Sequence, residues 1–130
     1  MSKIMGGKRG LILGVANDKS IAWGIARELA AHGAELAFTY QGEAFGKRVT
    51  PLAESLGASI VMDTDVTDDA SLDALFSRIE NEWGTMDFLV HAIAFAQKED
   101  LTGRFKDTTR AGFAKALDIS AMASGVWVPP

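Results

Sequence analysis

The sequence contains no cysteine among its 130 residues. Without cysteine there can be no disulfide framework, no thiolate metal site and no cysteine nucleophile. Basic residues are in the minority, with 13 Lys and Arg against 17 Asp and Glu and a net charge of -4. Because a basic surplus is what binds a phosphate backbone, we expect no nucleic-acid partner.

Long apolar runs are absent as well, although 48% of the residues are hydrophobic. Each uninterrupted apolar run is far shorter than the ~20 residues that span a membrane. The first eight residues contain nothing like the apolar core of a secretion signal. We therefore expect a globular protein of at most one domain, located in the cytoplasm and without a membrane partner.

Short apolar runs alternate with helical patterns along the chain. The runs predict four buried strands, at residues 11–15, 34–40, 58–62 and 86–93. Apolar residues at helical spacing lie between these runs, and a glycine follows each helical pattern. A further helical pattern covers about residues 109–120.

This alternation predicts an α/β fold with a Rossmann-type, doubly wound parallel sheet. Right-handed crossovers favour the strand order 3-2-1-4. In that order the apolar fourth strand lies at an edge, where a hydrophobic strand is an aggregation hazard. We therefore expect a sheet that is truncated after about four strands.

The last ten residues differ from the part before them. Residues 121–130 break the helical spacing and end in two prolines. We expect residues 1–120 to form the dinucleotide-binding half of a Rossmann domain and residues 121–130 to be an aberrant or truncated tail. A flexible natural tail is the alternative.

The loop after the first strand has an unusual glycine spacing. It reads G-x5-S-x3-G from Gly14 through Ser20 to Gly24, and the common G-x-G-x-x-G pattern is absent. Gly14 lets the backbone approach a ligand without a Cβ in the way. Ser20 begins a helix, where its hydroxyl and the open N–H groups of Ile21 and Ala22 can bind an anion.

One alternative accompanies this interpretation of the loop. The segment can be an ordinary strand–helix turn in which Ser20 serves only as the N-cap. Gly24, one turn into the helix, is expected to permit close packing of the helix on the sheet.

Polar residues follow the second and third strands. Gln41 can hydrogen-bond a ribose hydroxyl but brings no positive charge, which favours NADH over NADPH; the alternative is a plain turn residue. Asp65 can accept a hydrogen bond from an adenine amino group, with Val66 beside the ring. Asp63 has no predicted role. His91 is an acid–base group by type, although within a strand such a side chain is more often packed.

The acidic run at residues 63–69 does not predict a metal site. It lacks the glycine at the sixth position and the glutamate at the twelfth that a calcium loop requires. Asp68 and Asp69 are better explained as negative charges at the start of a helix.

Four segments taken together resemble one enzyme family: GVANDKSIAWGIA, AELAFTYQGE, DTDV and DFLVHAIAFA. They are similar to the bacterial NADH-dependent enoyl-acyl carrier protein reductases, a divergent branch of the short-chain dehydrogenase/reductase superfamily. The resemblance runs from about residue 8 to residue 120, and the long G-x5-S-x3-G loop distinguishes this branch from ordinary short-chain dehydrogenases.

The resemblance implies NADH as the cofactor and assigns contacts to it. The residues assigned are Gly14, Ser20 and Ile21 around the pyrophosphate and adjoining ribose, Gln41 beside the adenosine, Asp65 and Val66 at the adenine, and Ile93 near the nicotinamide. It also assigns Ala96 to the acyl substrate. Ala94 stands where the family usually has glycine, and the added methyl group is expected to weaken cofactor binding or to narrow the substrate site.

The reaction that the resemblance implies belongs to fatty acid biosynthesis. NADH transfers a hydride to C3 of a trans-2-enoyl thioester carried by acyl carrier protein, and the family is usually homotetrameric. The family's catalytic tyrosine and lysine have no counterpart here, so we expect no catalytic residue in this sequence. From the chain alone we expect no reductase activity and weak or absent NADH binding.

Two other functions remain as alternatives. The chain can be an NAD-binding fragment without catalysis, or it can belong to another short-chain dehydrogenase. The spacing of the G-x5-S-x3-G loop argues against the second.

Overall fold

The computed structural model describes residues 3–94 and 98–122, and of residues 121 and 122 it describes the backbone. The chain forms two compact units, Met1–Ala92 and Ile93–Pro130. The boundary expected at residue 120 stays a prediction, and residues 123–130 of the expected tail lie outside the described residues.

The first unit contains the alternating strands and helices that the apolar pattern predicts. In chain order these are β1 (Arg9–Leu13), α1 (Ile21–Ala31), β2 (Glu35–Tyr40), α2 (Glu43–Ser55), β3 (Ile60–Asp63), α3 (Asp69–Trp83) and β4 (Phe88–His91).

The four strands form one parallel sheet in the order β3-β2-β1-β4. The predicted α/β class and strand order are confirmed, and β4 lies at an edge of the sheet. Gly10 in β1 faces Phe88 in β4, and a Cβ at Gly10 would overlap the Phe88 ring. The glycine therefore makes room for an aromatic side chain on the neighbouring strand.

The core lies around β1, as expected for a strand with the unbroken apolar run Leu11–Leu13. Ile12 packs in a cluster with buried residues of α1 and α2, such as Ala26 and Val49. Leu11 and Leu13 point to the opposite face, because side chains alternate along a strand, and they are just as buried. Both faces of β1 are therefore covered, which is why its sequence does not alternate between polar and apolar residues.

Arg9 of β1 connects to β2, to the end of α3 and to the residue before β4, at the amino ends of the strands. Its Nε donates to Glu35 of β2 at 2.9 Å, and Nη1 donates to the Trp83 carbonyl at the end of α3 at 3.1 Å. Its backbone N–H donates to the Asp87 carboxylate at 2.8 Å, just before β4. Since this side chain is 39% exposed, solvent screens its ion pair with Glu35. The main effect of these hydrogen bonds is to position the ends of the neighbouring elements relative to β1.

Helix α2 continues through a proline. It begins at Glu43 and ends at Ser55, with Pro51 inside it. A proline lacks the N–H that would bond to the carbonyl four residues earlier. Both Pro51 and Lys47, four residues before it, are exposed, so water can reach the carbonyl that is left over.

The second unit is helical in its described part. It contains two short 3₁₀ turns, Lys98–Leu101 and Phe105–Asp107, followed by α4 (Arg110–Leu117) and one π-helical turn, Asp118–Met122. Thr109 caps α4, because its side chain accepts a hydrogen bond from the Gly112 N–H at 3.0 Å. Among the described residues, no helix has the length and apolar character needed to cross a membrane.

The burial of Phe38 generates a stability prediction. Phe38 is fully buried in β2, whereas the side chain of Phe45 in α2 is 43% exposed. We expect Phe38→Ala to lower the free energy of unfolding by about 3–5 kcal/mol and Phe45→Ala by about 1 kcal/mol or less. Urea denaturation of the two variants measures both values. Equal losses would contradict the position of β2 in the core.

Candidate functional site

The backbone turns away from the sheet at Gly14, directly after β1. Gly14 has φ +118, and a Cβ at this position would overlap the carbonyl group of Ala92. The two chain segments are held together there by a hydrogen bond of 2.9 Å from the Ala92 N–H to the Leu13 carbonyl. Glycine is therefore required by the neighbouring backbone, in addition to the ligand approach that the sequence suggests.

The hydroxyl of Ser20 organises the loop that follows. Its Oγ accepts hydrogen bonds from the N–H groups of Ala16 at 2.9 Å and Asn17 at 3.1 Å. Ser20 occupies the N-cap position of α1, but its side chain makes no capping hydrogen bond to the helix. A serine hydroxyl has two acceptor lone pairs and one hydrogen to donate. With both acceptor positions used, the remaining capacity of this hydroxyl is to donate.

The first turn of α1 carries open donors. The N–H groups of Trp23 and Gly24 bond to the Ser20 carbonyl. In the part of the chain that the structure describes, the N–H groups of Ile21 and Ala22 have no acceptor. A helix N-terminus with open N–H groups and a positive dipole end attracts anions. The Ile21 side chain is 81% exposed at the same position.

The expectation for Gly24 is wrong. Gly24 is exposed, and a Cβ built on it would meet no described atom within 4 Å. Close packing of α1 is provided instead by Ala22, Trp23 and Ala26, which are buried on the inner face of the helix. Gly24 is therefore not needed for the contact between α1 and the sheet.

The end of β2 is fixed by two glycines and a carboxylate. Gln41 is exposed, and Gly42 after it has φ +88, a conformation that favours glycine. The Gly42 N–H donates to Asp63 Oδ1 at 3.1 Å. Gly46 in α2 is buried, and a Cβ there would lie 2.7 Å from the Tyr40 ring. Asp63, which has no predicted role, thus ties the end of β3 to the start of α2.

The end of β3 is held by backbone and side-chain hydrogen bonds. The Thr64 N–H donates to the Tyr40 carbonyl at 2.7 Å. Asp65 Oδ1 accepts from the N–H of Thr67 at 2.9 Å and from its hydroxyl at 2.6 Å. One carboxylate oxygen of Asp65 is thus engaged locally, and Oδ2 remains for other partners. Val66 is 7% exposed, so little of its surface is left for a ligand.

The predicted start of α3 is confirmed in detail. Asp68 is the N-cap, and its Oδ1 accepts a hydrogen bond from the Ala70 N–H at 3.1 Å. Asp69 lies in the first turn, where a negative charge is favourable.

Six of the predicted site residues lie at one edge of the sheet. They follow the carboxyl ends of three adjacent parallel strands: Gly14, Ser20 and Ile21 after β1, Gln41 after β2, and Asp65 and Val66 after β3. Ile93 belongs to the second unit, and Ala96 lies outside the described residues. His91 is half-buried at the end of β4.

The sheet is parallel, has the order 3-2-1-4, and is followed after its first strand by a glycine turn and a helix N-terminus. These features define a Rossmann-type fold of the dinucleotide-binding class. Residues 14–126 match the family described as enoyl-(acyl carrier protein) reductase. The chain belongs to that family.

A curated relative and two solved structures show the extent of the similarity. The chain is 59% identical over 119 residues to enoyl-[acyl-carrier-protein] reductase [NADH] 1 of Rhizobium meliloti (strain 1021), covering 92% of this chain and 44% of that protein. The crystal structure of the Anaplasma phagocytophilum reductase in complex with NAD has a TM-score of 0.89 and 50% identity, and the match covers 95% of this chain and 47% of that one.

The Bacillus cereus enoyl-acyl carrier protein reductase, solved with NADP+ and indole naphthyridinone, also has a TM-score of 0.89, with 47% identity. The match covers 95% of this chain and 48% of that one. The chain therefore spans slightly less than half the length of the relatives it matches.

The two glycines of the loop and first helix give a matched pair of variants. Gly14→Ala forces a Cβ against the Ala92 carbonyl at a positive φ, so we expect the free energy of unfolding to fall by about 2–3 kcal/mol or more. Gly24→Ala places a better helix former at an open position, and we expect a gain of about 0.5–1 kcal/mol. Chemical denaturation of both variants checks the signs. If Gly24→Ala lowers the stability, Gly24 does have a packing role, and the conclusion drawn from its exposed position is wrong.

Proposed function

We propose that the chain forms the NADH-binding half of an enoyl-acyl carrier protein reductase of fatty acid biosynthesis, acting in the cytoplasm. The observation that carries this proposal is the set of open donors at the start of α1, at the carboxyl end of the central strand β1. Membership of the reductase family and the names of the relatives supply the reaction.

The groups after β1 fit a diphosphate. Ile21 and Ala22 offer two backbone N–H groups, and the Ser20 hydroxyl offers its hydrogen, because both of its acceptor positions are used within the loop. All three donors lie at the positive end of the α1 dipole. Gly14 keeps a side chain away from this approach.

The groups after β2 and β3 fit an adenosine. The exposed amide of Gln41 can hydrogen-bond the ribose hydroxyls. Asp65 Oδ2 can accept from the adenine amino group, while Oδ1 stays bonded to Thr67. Val66 would contact the ring with the small part of its surface that is exposed.

Ile93 and Ala96 complete the proposed assignments. We assign Ile93 to the nicotinamide end and Ala96 to the acyl group of an enoyl thioester carried by acyl carrier protein. Ala94, which is exposed, adds a methyl group close to these positions in the sequence.

The chemistry proposed for this chain is positioning. A bound nicotinamide supplies the hydride, and the protein contributes orientation and electrostatics. Tyr40 is the one tyrosine of the sequence, and its ring lies against Gly46 in the first unit. We therefore do not assign Tyr40 to the family's proton chemistry. We propose that the chain alone binds NADH without catalysing the reduction.

The role of Ser20 is tested with ADP, which carries the diphosphate and adenosine without the nicotinamide. We expect ADP to shift the NMR signals of the Ile21 and Ala22 amides. Ser20→Ala removes one donor to the diphosphate and the acceptor that holds Ala16 and Asn17 in the loop, so binding should weaken by about tenfold. Ser77→Ala, at an exposed serine of α3, is the control and should bind as the unmodified chain does.

Two results would contradict this part of the proposal. One is the absence of any ADP-dependent shift at α1. The other is equal ADP affinity for Ser20→Ala and the unmodified chain.

The absence of catalysis is tested with the purified 130-residue chain, NADH and a trans-2-enoyl thioester. We expect the chain to cause no loss of NADH absorbance, because none of its residues is assigned to stabilise the developing negative charge on the thioester oxygen. The same assay with a full-length relative shows that the substrates are competent. Steady turnover by the 130-residue chain would refute the assignment of a purely binding role.

A further inference from the structure

The carboxylate of Asp63 accepts a hydrogen bond from Gly42, which is the N-cap residue of α2 and follows Gln41 in the sequence. We propose that this carboxylate makes the site reject a 2′-phosphate on the adenosine ribose and thereby select NADH over NADPH. The inference rests on the proposed function, since it concerns the same dinucleotide site, and it assigns cofactor selection to a residue of β3.

The position of Asp63 follows from the register of the sheet. In the β2–β3 ladder, Tyr40 pairs with Asp63, so the last residues of the two strands lie side by side. The chain leaves β2 through Gln41 and turns at Gly42, and the Gly42 N–H donates to Asp63 Oδ1 at 3.1 Å. The hydrogen bond from Thr64 to the Tyr40 carbonyl, at 2.7 Å, holds the same two strand ends together.

This arrangement places a negative charge where the fold usually selects its cofactor. In Rossmann sites the residue at the end of the second strand is the one that contacts the ribose 2′ position. An acidic group there accepts from a hydroxyl and repels a phosphate, whereas an arginine accommodates the phosphate. Here Gln41, the residue directly after the second strand, brings no carboxylate, and the end of the adjacent strand supplies one in Asp63.

The same carboxylate adds negative charge beside a possible anion site. The N-terminus of α2 would attract a phosphate through its dipole and open N–H groups. Gly42 is the N-cap residue of α2, and its N–H is already bonded to Asp63; Glu43 adds a second acidic group in the first turn. A 2′-phosphate would therefore meet a helix end that is already occupied by negative charge.

The nearby basic residues lie further along α2. Lys47 pairs with Glu43 at 3.9 Å, which offsets that charge locally. Arg48 has no ion pair among the described residues. Both residues are more than one helical turn beyond Gly42, whereas Asp63 touches the turn itself. The charged group that is bonded to this turn is thus an anion.

The solved relatives contain different dinucleotides. One solved structure at 50% identity contains NAD, and another at 47% identity contains NADP+. Discrimination between the two dinucleotides can therefore differ from chain to chain, and Asp63 is a carboxylate that is bonded to the turn after β2.

The experiment compares two probes that differ by one phosphate, adenosine 5′-monophosphate and adenosine 2′,5′-bisphosphate. Each is titrated into the whole chain, and the amide signals of Gly42 and Ile21 are followed by NMR. We expect the monophosphate to bind more tightly. Asp63→Asn keeps an oxygen that can accept from Gly42 but removes the charge. It should raise the affinity for the bisphosphate relative to the monophosphate by about threefold to tenfold.

Two further variants separate charge from structure. Asp63→Ala removes both the charge and the hydrogen bond; it should raise the same ratio and also shift the Gly42 signal in the free protein. Asp73→Asn removes one negative charge from an exposed position on α3 and should leave the ratio unchanged.

The outcomes distinguish this inference from the proposed function. If both probes bind the unmodified chain and neither Asp63 variant changes their ratio, cofactor selection by Asp63 is refuted while the dinucleotide site stands. An equal change in the ratio with Asp73→Asn would also refute it, since net charge alone would then explain the effect. If neither probe shifts any signal of the unmodified chain, the proposed function fails, and the inference fails with it.

Discussion

The contact between Gly14 and Ala92 is the constraint on which the proposed site depends. β1 is bonded to strands on both sides, so its chain can leave the sheet only at its ends. At the carboxyl end, the backbone beyond β4 comes so close that no side chain fits at position 14. The chain must therefore turn away there, and this turn delivers the Ser20 loop and the open end of α1 to the same edge as the ends of β2 and β3.

The fold was predictable because a strand that is buried on both faces of the sheet has an unbroken run of apolar residues. The unbroken apolar residues of β1 and the helical spacing between strands suffice to predict a parallel sheet, and handedness rules then select the order 3-2-1-4. The glycine of the turn was also predictable, although its closest constraint is the Ala92 carbonyl. The caps of α3 followed from residue type, since aspartate before a helix accepts from the first open N–H groups.

The rest depended on hydrogen bonds between residues that are distant in sequence. Asp63 meets Gly42 only because Tyr40 and Asp63 end paired strands, and composition does not reveal that register. Ser20 was predictable as a helix start, but the loop geometry decides that its oxygen bonds to Ala16 and Asn17. The role of Gly24 was not predictable, because a glycine near a helix start suggests close packing and the helix instead turns that position outward.

The register of β1 has a consequence for the order in which the sheet forms. At its two edges β1 meets partners at very different separations along the chain: Arg9 bonds to Glu35 across 26 residues, and to Asp87 across 78 residues. Closing a loop three times as long costs about 1 kcal/mol more in chain entropy. Contacts between segments that are close in sequence form more readily. We therefore expect β1, β2 and β3 to assemble first. On this route the docking of β4, which brings Ala92 against Gly14, is the late step that completes the turn.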